Sequence, residues 1–241
     1  MPSPLKRIAL AIALAAGGTL AAVAAGAVDT PKAPPARPVV VELFQSQGCS
    51  SCPPADANLN AIAGRPDVLA LNFGVTYWDH LGWKDTFAQP AFTSRQKAYA
   101  QALDAPLGTP EMVVEGRASY VGADPREVAR ALVAARPATN TQVNGGAGRV
   151  DLATGRAPGR AADVWLVRYD PRVQQVAIQR GENGGKTLPH KNTVRQLIRL
   201  GGWTGAAASF AEPPSPDPAF RSAVLVQAPD GGPILAAAKL D

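Results

Sequence analysis

The chain has 241 residues, 46% of them hydrophobic and 18% charged. That is enough apolar material for one large core or two small ones, and too few charges for a disordered polyelectrolyte. Formal net charge is +5; Lys6 and Arg7 lie in a leading segment expected to be removed, which leaves +3, and the remaining basic residues are interspersed with acids rather than set in a stripe, so no nucleic-acid partner is expected.

The first predicted element is a signal peptide over residues 1–27. Two positive charges precede an apolar run from Ile8, and small residues follow, with an A-x-A site at Ala25–Ala27. An uncleaved anchor is the competing reading, but the run is rich in Ala and Gly and weakly apolar for a span. No twin-arginine motif or lipid-acceptor Cys is present, and no later segment is long and apolar enough to cross a bilayer. The expectation is a periplasmic or secreted protein with no membrane span after cleavage. Export would put both cysteines in an oxidising compartment. Residues 28–38, with four prolines from Pro31 to Pro38, read as a linker.

Structured chain is predicted from Val39. The run "VVVELF" is a buried strand. "ADANLNAIAG" is a helix that Gly64 can end in left-handed geometry, and "DVLALNFGV" is a second strand. "FTSRQKAYAQAL" has helical spacing; "EMVVEGRASYVG" reads as two strands about a Glu115–Gly116 turn. "DPREVARALVAA" is a helix capped by Asp124, with Pro125 at its first position and Glu127 in its first turn. After "RPATNTQVNGGAG" the pattern changes to short alternating runs broken by turns, with "NTVRQLIRL" ambiguous between strand and helix. The predicted class is therefore α/β: an α/β domain over residues 39–137, then a β-rich, sandwich-like or meander domain over residues 138–241.

The chain has two cysteines, Cys49 and Cys52, in "GCSSCPP" between the first strand and the first helix. A thiol at a helix head meets free N–H groups and the positive end of the dipole, which favour the thiolate. Cys49 is the candidate nucleophile and Cys52 the resolving thiol of a redox pair. Two other readings stay open. A structural disulfide across so short a loop constrains little of the unfolded chain. A structural zinc clip needs about four ligands, and the chain has two Cys and two His in all; no metal or other cofactor is expected. Downstream, Thr109–Pro110 directly precedes an apolar strand. An X–Pro bond can be cis at modest cost, and a cis bond there would set the Thr109 backbone against the cysteines.

At this point the chain resembles the thioredoxin superfamily, which has the same order of strand, Cys-x-x-Cys helix, cis-proline, hairpin and helix over about residues 39–135. "VELFQSQGCSSCPPAD", "YWDHLGWKD", "RQKAYA", "TPEMVVEGR" and "RGENGGKTLPHKNTVR" also resemble a family of secreted bacterial thioredoxin-like proteins whose domain has no assigned function. The resemblance implies a thioredoxin-like fold over residues 39–137 and export, but no settled substrate. It also makes Glu42, on the strand before the cysteines, similar to the strand carboxylate of thioredoxin, a buried acid able to take a proton from Cys52; a rim glutamate is the other reading.

The loop "TYWDHLGWKDTF" offers Trp78, His80 and Trp83 as one wall of a substrate groove beside Thr109, or as a packed cap. His80 would then stabilise the Cys49 thiolate. In the second domain Glu182, Asn183 and His190 surround a glycine-rich turn, as a polar network at the interface reaching toward the cysteines or as ordinary turn chemistry. The sequence thus points to an exported thiol–disulfide oxidoreductase with Cys49, Cys52, Pro110 and Glu42 at its centre, acting on a protein or small thiol–disulfide substrate. A non-catalytic adaptor of the same fold is a second class. Copper handling through Cys49, Cys52 and His80 is a third.

Overall fold

The structure, a computed structural model, describes residues 37–135, 141–156 and 158–240. The signal-peptide reading and most of the linker reading lie outside the described residues. Strand β1 (Val39–Gln45) leads through the cysteine loop into helix α1 (Pro53–Ile62), then β2 (Val68–Gly74), α2 (Pro90–Ala102), β3 (Glu111–Val114), β4 (Ala118–Tyr120) and α3 (Pro125–Ala134). Pro53 and Pro54 start α1 where a missing N–H costs nothing. Asp124 caps α3 by accepting from the Arg126 amide at 2.8 Å. Glu115 and Gly116 both have positive φ (56° and 60°), which makes the tight β3–β4 turn. Helix α1 ends differently from the expectation: its C-cap is Ala63 in right-handed geometry, with the Ala63 amide bonded to the Leu59 carbonyl, and Gly64 is not left-handed.

Nine further strands follow: β5 (Val143–Gly146), β6 (Arg149–Leu152), β7 (Ala162–Asp170), β8 (Gln174–Ala177), β9 (Thr187–His190), β10 (Thr193–Trp203), β11 (Ala208–Ala211), β12 (Arg221–Gln227) and β13 (Ile234–Lys239). The ambiguous run is strand β10. Four of these strands extend the first sheet, giving the order β13-β12-β7-β10-β2-β1-β3-β4. The seam is short: β10 meets β2 in parallel at one register pair, Thr193 with Asn72. Asn192 closes it, accepting from the Asn72 amide at 3.0 Å and donating its side-chain amide to the Ala70 carbonyl at 2.8 Å.

Strand alternation sorts the core to two faces. On one, Val40, Phe44, Leu71 and Phe73 continue into Val167, Tyr169 and Leu225 under Phe92 and Tyr99 of α2. On the other, Val41, Leu43 and Ala70 pack on Ala55 and Leu59 of α1 and on Val128 and Ala131 of α3. Farther along that second face, Val164, Leu166, Val224 and Val226 pack on Val150 and Leu152 of the small β11-β6-β5 sheet. The β-rich part is thus layered like a sandwich while its main strands share one sheet with the first half. The described residues belong to one compact unit. Among the described residues no helix is long and apolar enough to cross a membrane.

Candidate functional site

The site is built on the loop from Ser46 to Cys52. The Ser46 hydroxyl accepts from the Gly48 amide at 3.1 Å and its carbonyl from the Cys49 amide at 3.1 Å, which turns the chain sharply after β1. Cys49 and Cys52 form a disulfide at the head of α1. Both are buried, while Ser50 and Ser51 between them are exposed. Thus the loop reaches solvent and the sulfurs are sheltered. The Cys49 Sγ lies 3.3 Å from the Ser51 hydroxyl and 3.8 Å from the Thr109 carbonyl oxygen. Thr109–Pro110 is a cis peptide.

The aromatic loop after β2 supports this surface from one side. The Trp78 indole donates to the Thr109 hydroxyl at 2.7 Å. Trp83 donates to Gln47 Oε1 at 2.9 Å, and the Gln47 amide donates to Asp85 at 2.7 Å. Gln47 is fully buried, so the loop is anchored from beneath by a side chain that the sequence analysis passed over. His80 is not part of this arrangement: it is exposed, with its Nδ1 2.8 Å from the Tyr77 carbonyl of its own turn. Among the described residues no group of three or more His, Cys, Asp and Glu is placed to hold a metal ion.

The hairpin of β8 and β9 grips the same loop from the other side. Gly181, at φ 76°, comes so close that an added Cβ would stand 3.3 Å from the Gly48 Cα, so only glycine fits comfortably there. Next to it the Glu182 amide donates to the Gly48 carbonyl at 3.2 Å. The Glu182 carboxylate accepts from the Ser50 amide at 3.0 Å and the Ser50 hydroxyl at 2.7 Å. Those two bonds, the amide first, pull its pKa below the ordinary glutamate value. The buried Asn183 donates to the Gln47 carbonyl at 3.1 Å and the Cys49 carbonyl at 2.7 Å. Glu182 and Asn183 therefore reach the cysteine loop directly.

His190, at the end of β9, does so through Asp56 of α1. Its Nδ1 is 3.3 Å from Asp56 Oδ2, an ion-pair contact, and the other carboxylate oxygen accepts from Asn72 at 2.6 Å. Burial opposes a charge on His190, but contact with Asp56 and the field of Asp85 outweigh it and raise its pKa above 6.5. Asp85 is pushed up by burial, a shift that the amides of Gln47 and Phe87 oppose.

Glu42 lies elsewhere. Its neighbours Val41 and Leu43 face α1, so strand alternation turns Glu42 to α2. There Arg95 holds both carboxylate oxygens, at 2.8 and 2.7 Å. The acid that stands on the Cys52 side is Asp56, which sequence reasoning missed. One signal was available: Asp56 lies four residues after Cys52, hence on the same helix face.

Residues 40–227 match the family described as "Protein of unknown function (DUF1223)". Two solved structures are similar. An X-ray structure of an Agrobacterium tumefaciens protein, a structural-genomics target, is 31% identical with a TM-score of 0.68, covering 84% of this chain and 93% of that one. HBP35 of Porphyromonas gingivalis is 15% identical with a TM-score of 0.54, covering 84% of this chain and 74% of the other, a likeness of fold alone. No match was found among curated proteins.

Proposed function

The chain belongs to the DUF1223 family, and from that premise we propose that it is an exported thiol–disulfide oxidoreductase of thioredoxin-like fold whose reacting pair is Cys49 and Cys52. The observation that carries this reading is the setting of the disulfide: a buried pair at a helix head, spanned by exposed Ser50 and Ser51, with the Cys49 sulfur next to the Ser51 hydroxyl and the Thr109 carbonyl. A staple across a loop this short stabilises little and calls for no such surroundings.

In the reduced protein, the Cys49 thiolate attacks one sulfur of a substrate disulfide. A Cys49–substrate bond forms, the substrate S–S bond breaks, and one substrate thiolate leaves. The Cys52 thiolate then attacks the Cys49 sulfur, restores the internal disulfide and releases the second substrate thiolate. Two electrons pass to the substrate. The reverse sequence oxidises a dithiol. The helix head favours the Cys49 thiolate, and the Ser51 hydroxyl at 3.3 Å is positioned to donate to it.

Cys52→Ser tests the reading. The variant should accumulate mixed disulfides at Cys49, seen as reducible adducts on non-reducing gels and located by peptide mass spectrometry, with Cys49→Ser accumulating none. No adducts under oxidising conditions, with the fold intact, would favour an adaptor that keeps the pair without turning it over. The leader is part of the proposal, and finding the full chain intact in the cytosolic fraction would remove it.

A further inference from the structure

Disulfide closure has a proton to place. Cys52 is buried, so in the reduced protein its thiol is sheltered from water. A nearby group must accept the proton before Cys52 can attack. Both oxygens of Glu42 are committed to Arg95 on the opposite face of the sheet.

Asp56 is differently placed. Cys52 is the N-cap of α1 in helical geometry (φ −77°, ψ −33°), and the Asp56 amide donates to the Cys52 carbonyl at 3.0 Å. The two side chains therefore stack one turn apart on one face, about 5–6 Å between Cβ atoms. Asp56 is 4% exposed and His190 not at all. Asn72 orients one carboxylate oxygen of Asp56, and His190 Nδ1 stands 3.3 Å from the other. Both ring nitrogens of His190 are buried with no hydrogen-bond partner among the described residues, Nδ1 meeting Asp56 only as an ion-pair contact, and the ring packs edge-to-face with Phe87, centroids 5.7 Å apart. Such an orphaned buried nitrogen is costly to keep and calls for a reason.

We propose that Asp56 and His190 together form the buried proton acceptor for Cys52, the task that the sequence assigned to Glu42. The proposal rests on the disulfide-exchange reading above. In the closing step, with His190 neutral and its ring proton on Nε2, the Cys52 S–H proton passes to the Asp56 carboxylate, directly or through one water, and on to the free lone pair of His190 Nδ1, giving the imidazolium paired with Asp56. The Cys52 thiolate attacks the Cys49 sulfur, the Cys49–substrate bond breaks, and the substrate leaves as a thiolate that takes its proton from solvent. In the reverse direction the pair returns the proton to Cys52. Other charged groups around His190 are Asp85 from the loop before α2, Arg195 of β10 behind the Phe87 ring, and Lys191 next in the chain; Gln174 of β8 is its neutral cross-strand partner.

The chain has two histidines, and exposed His80 is an internal reference for a titration followed by NMR of the imidazole rings. In the full chain reduced with excess dithiol, the His190 midpoint should move by about fivefold or more in proton affinity relative to the oxidised chain. The shift should vanish in Cys52→Ser, and His80 should not move. In stopped flow, reduced protein mixed with one equivalent of dithiobis-nitrobenzoate releases one thiolate on attack and a second on closure. Asp56→Asn and His190→Gln should slow the second release by about 10²-fold near neutral pH, flatten its pH profile, and leave the first release unchanged. If His190 titrates identically in oxidised, reduced and Cys52→Ser protein, or if the folded variants close with the wild-type pH profile, the proposal fails. Should the variants not fold, the titration of the native chain decides. A protein that traps no substrate would sink the exchange reading and this proposal with it, whereas trapping without a His190 shift would sink this proposal alone.

Discussion

Glu182 holds the amide and hydroxyl of Ser50 and so sets a carboxylate on the loop between the two cysteines, where the proposed exchange needs a thiolate. Negative charge there opposes the Cys49 thiolate and favours the disulfide. Glu182→Gln keeps the shape and removes the charge; the reduced state should gain by about fivefold or less at low ionic strength, a gain that shrinks with salt because the carboxylate is exposed. Equilibration against a glutathione buffer at two salt concentrations measures it, and an unchanged potential at low salt would assign Glu182 to holding the loop alone. His190 gives a second prediction at this scale. Its folded pKa lies above 6.5, so the native state binds the proton more tightly than the unfolded one. The resulting stability is complete below pH 6.5 and is lost as pH rises through the folded value. Urea midpoints of the oxidised chain should fall over that window, and Asp56→Asn should flatten the fall. These residues were unequally legible. Glu182, Asn183 and His190 stood out because glycines crowd round them in the sequence. Asp56 and Gln47 did not, since a polar residue in a helix or loop reads as solvated until the hairpin that buries it is known. Glu42 stayed open between a rim glutamate and a buried acid, because alternation along a strand does not say which helix covers which face.

At the scale of elements, Arg95 joins five of them, α2, β1, β2, β7 and β12. From α2 it pairs with Glu42 of β1, donates to Gln227 of β12 at 2.9 Å, and lies 5.2 to 5.9 Å from the ring centroids of Tyr99, Phe73 and Trp165. Burial alone would disfavour the guanidinium charge; Glu42 and Tyr99 outweigh that and raise its pKa further. Removing one partner strands the other charge in the core, so Glu42→Leu and Arg95→Met should each cost about 3–5 kcal/mol, and the double variant clearly less than their sum. Chemical denaturation of the four proteins tests this. Glu42→Gln should lower stability while leaving the pH profile of disulfide closure in place; a displaced profile would return Glu42 to the chemistry. Most elements were readable because their marks are local: helical spacing shows α1 and α2, Asp124 caps α3, and Glu115–Gly116 turns a hairpin. Strand β10 was not, because "TVRQLIRL" satisfies both periods, and its pairing with β7 along nine registered residue pairs decides the matter only in three dimensions.

At the scale of the molecule, the change of pattern near residue 138 was visible in the sequence, but the continuation of one sheet across it was not. Strand pairing between distant segments leaves no local mark, and the seam at Asn72 and Thr193 is a single register pair. Its consequences are large. Without β7, β10 and β12, strand β2 becomes an open edge, and Leu69, Leu71 and Phe73 lose the neighbours Val167, Tyr169, Val194 and Leu225 that share their cluster. The cysteine loop loses the bonds from Glu182 and Asn183, and Asp56 loses His190. Exposed apolar surface beside an unpaired strand is an aggregation template. A fragment ending at residue 135 should therefore associate, bind a hydrophobic dye, and melt without the cooperative transition of the full chain. Replacing only residues 179–186 with a short flexible link is a gentler test, because β8 and β9 form a sheet of their own and the eight-stranded sheet stays whole. That variant should keep cooperative unfolding while its Cys49 and Cys52 become more accessible to alkylation once reduced. If the fragment to residue 135 instead unfolds cooperatively at the temperature of the full chain, and exchanges disulfides at the same rate, the shared sheet contributes neither stability nor the setting of the cysteine loop.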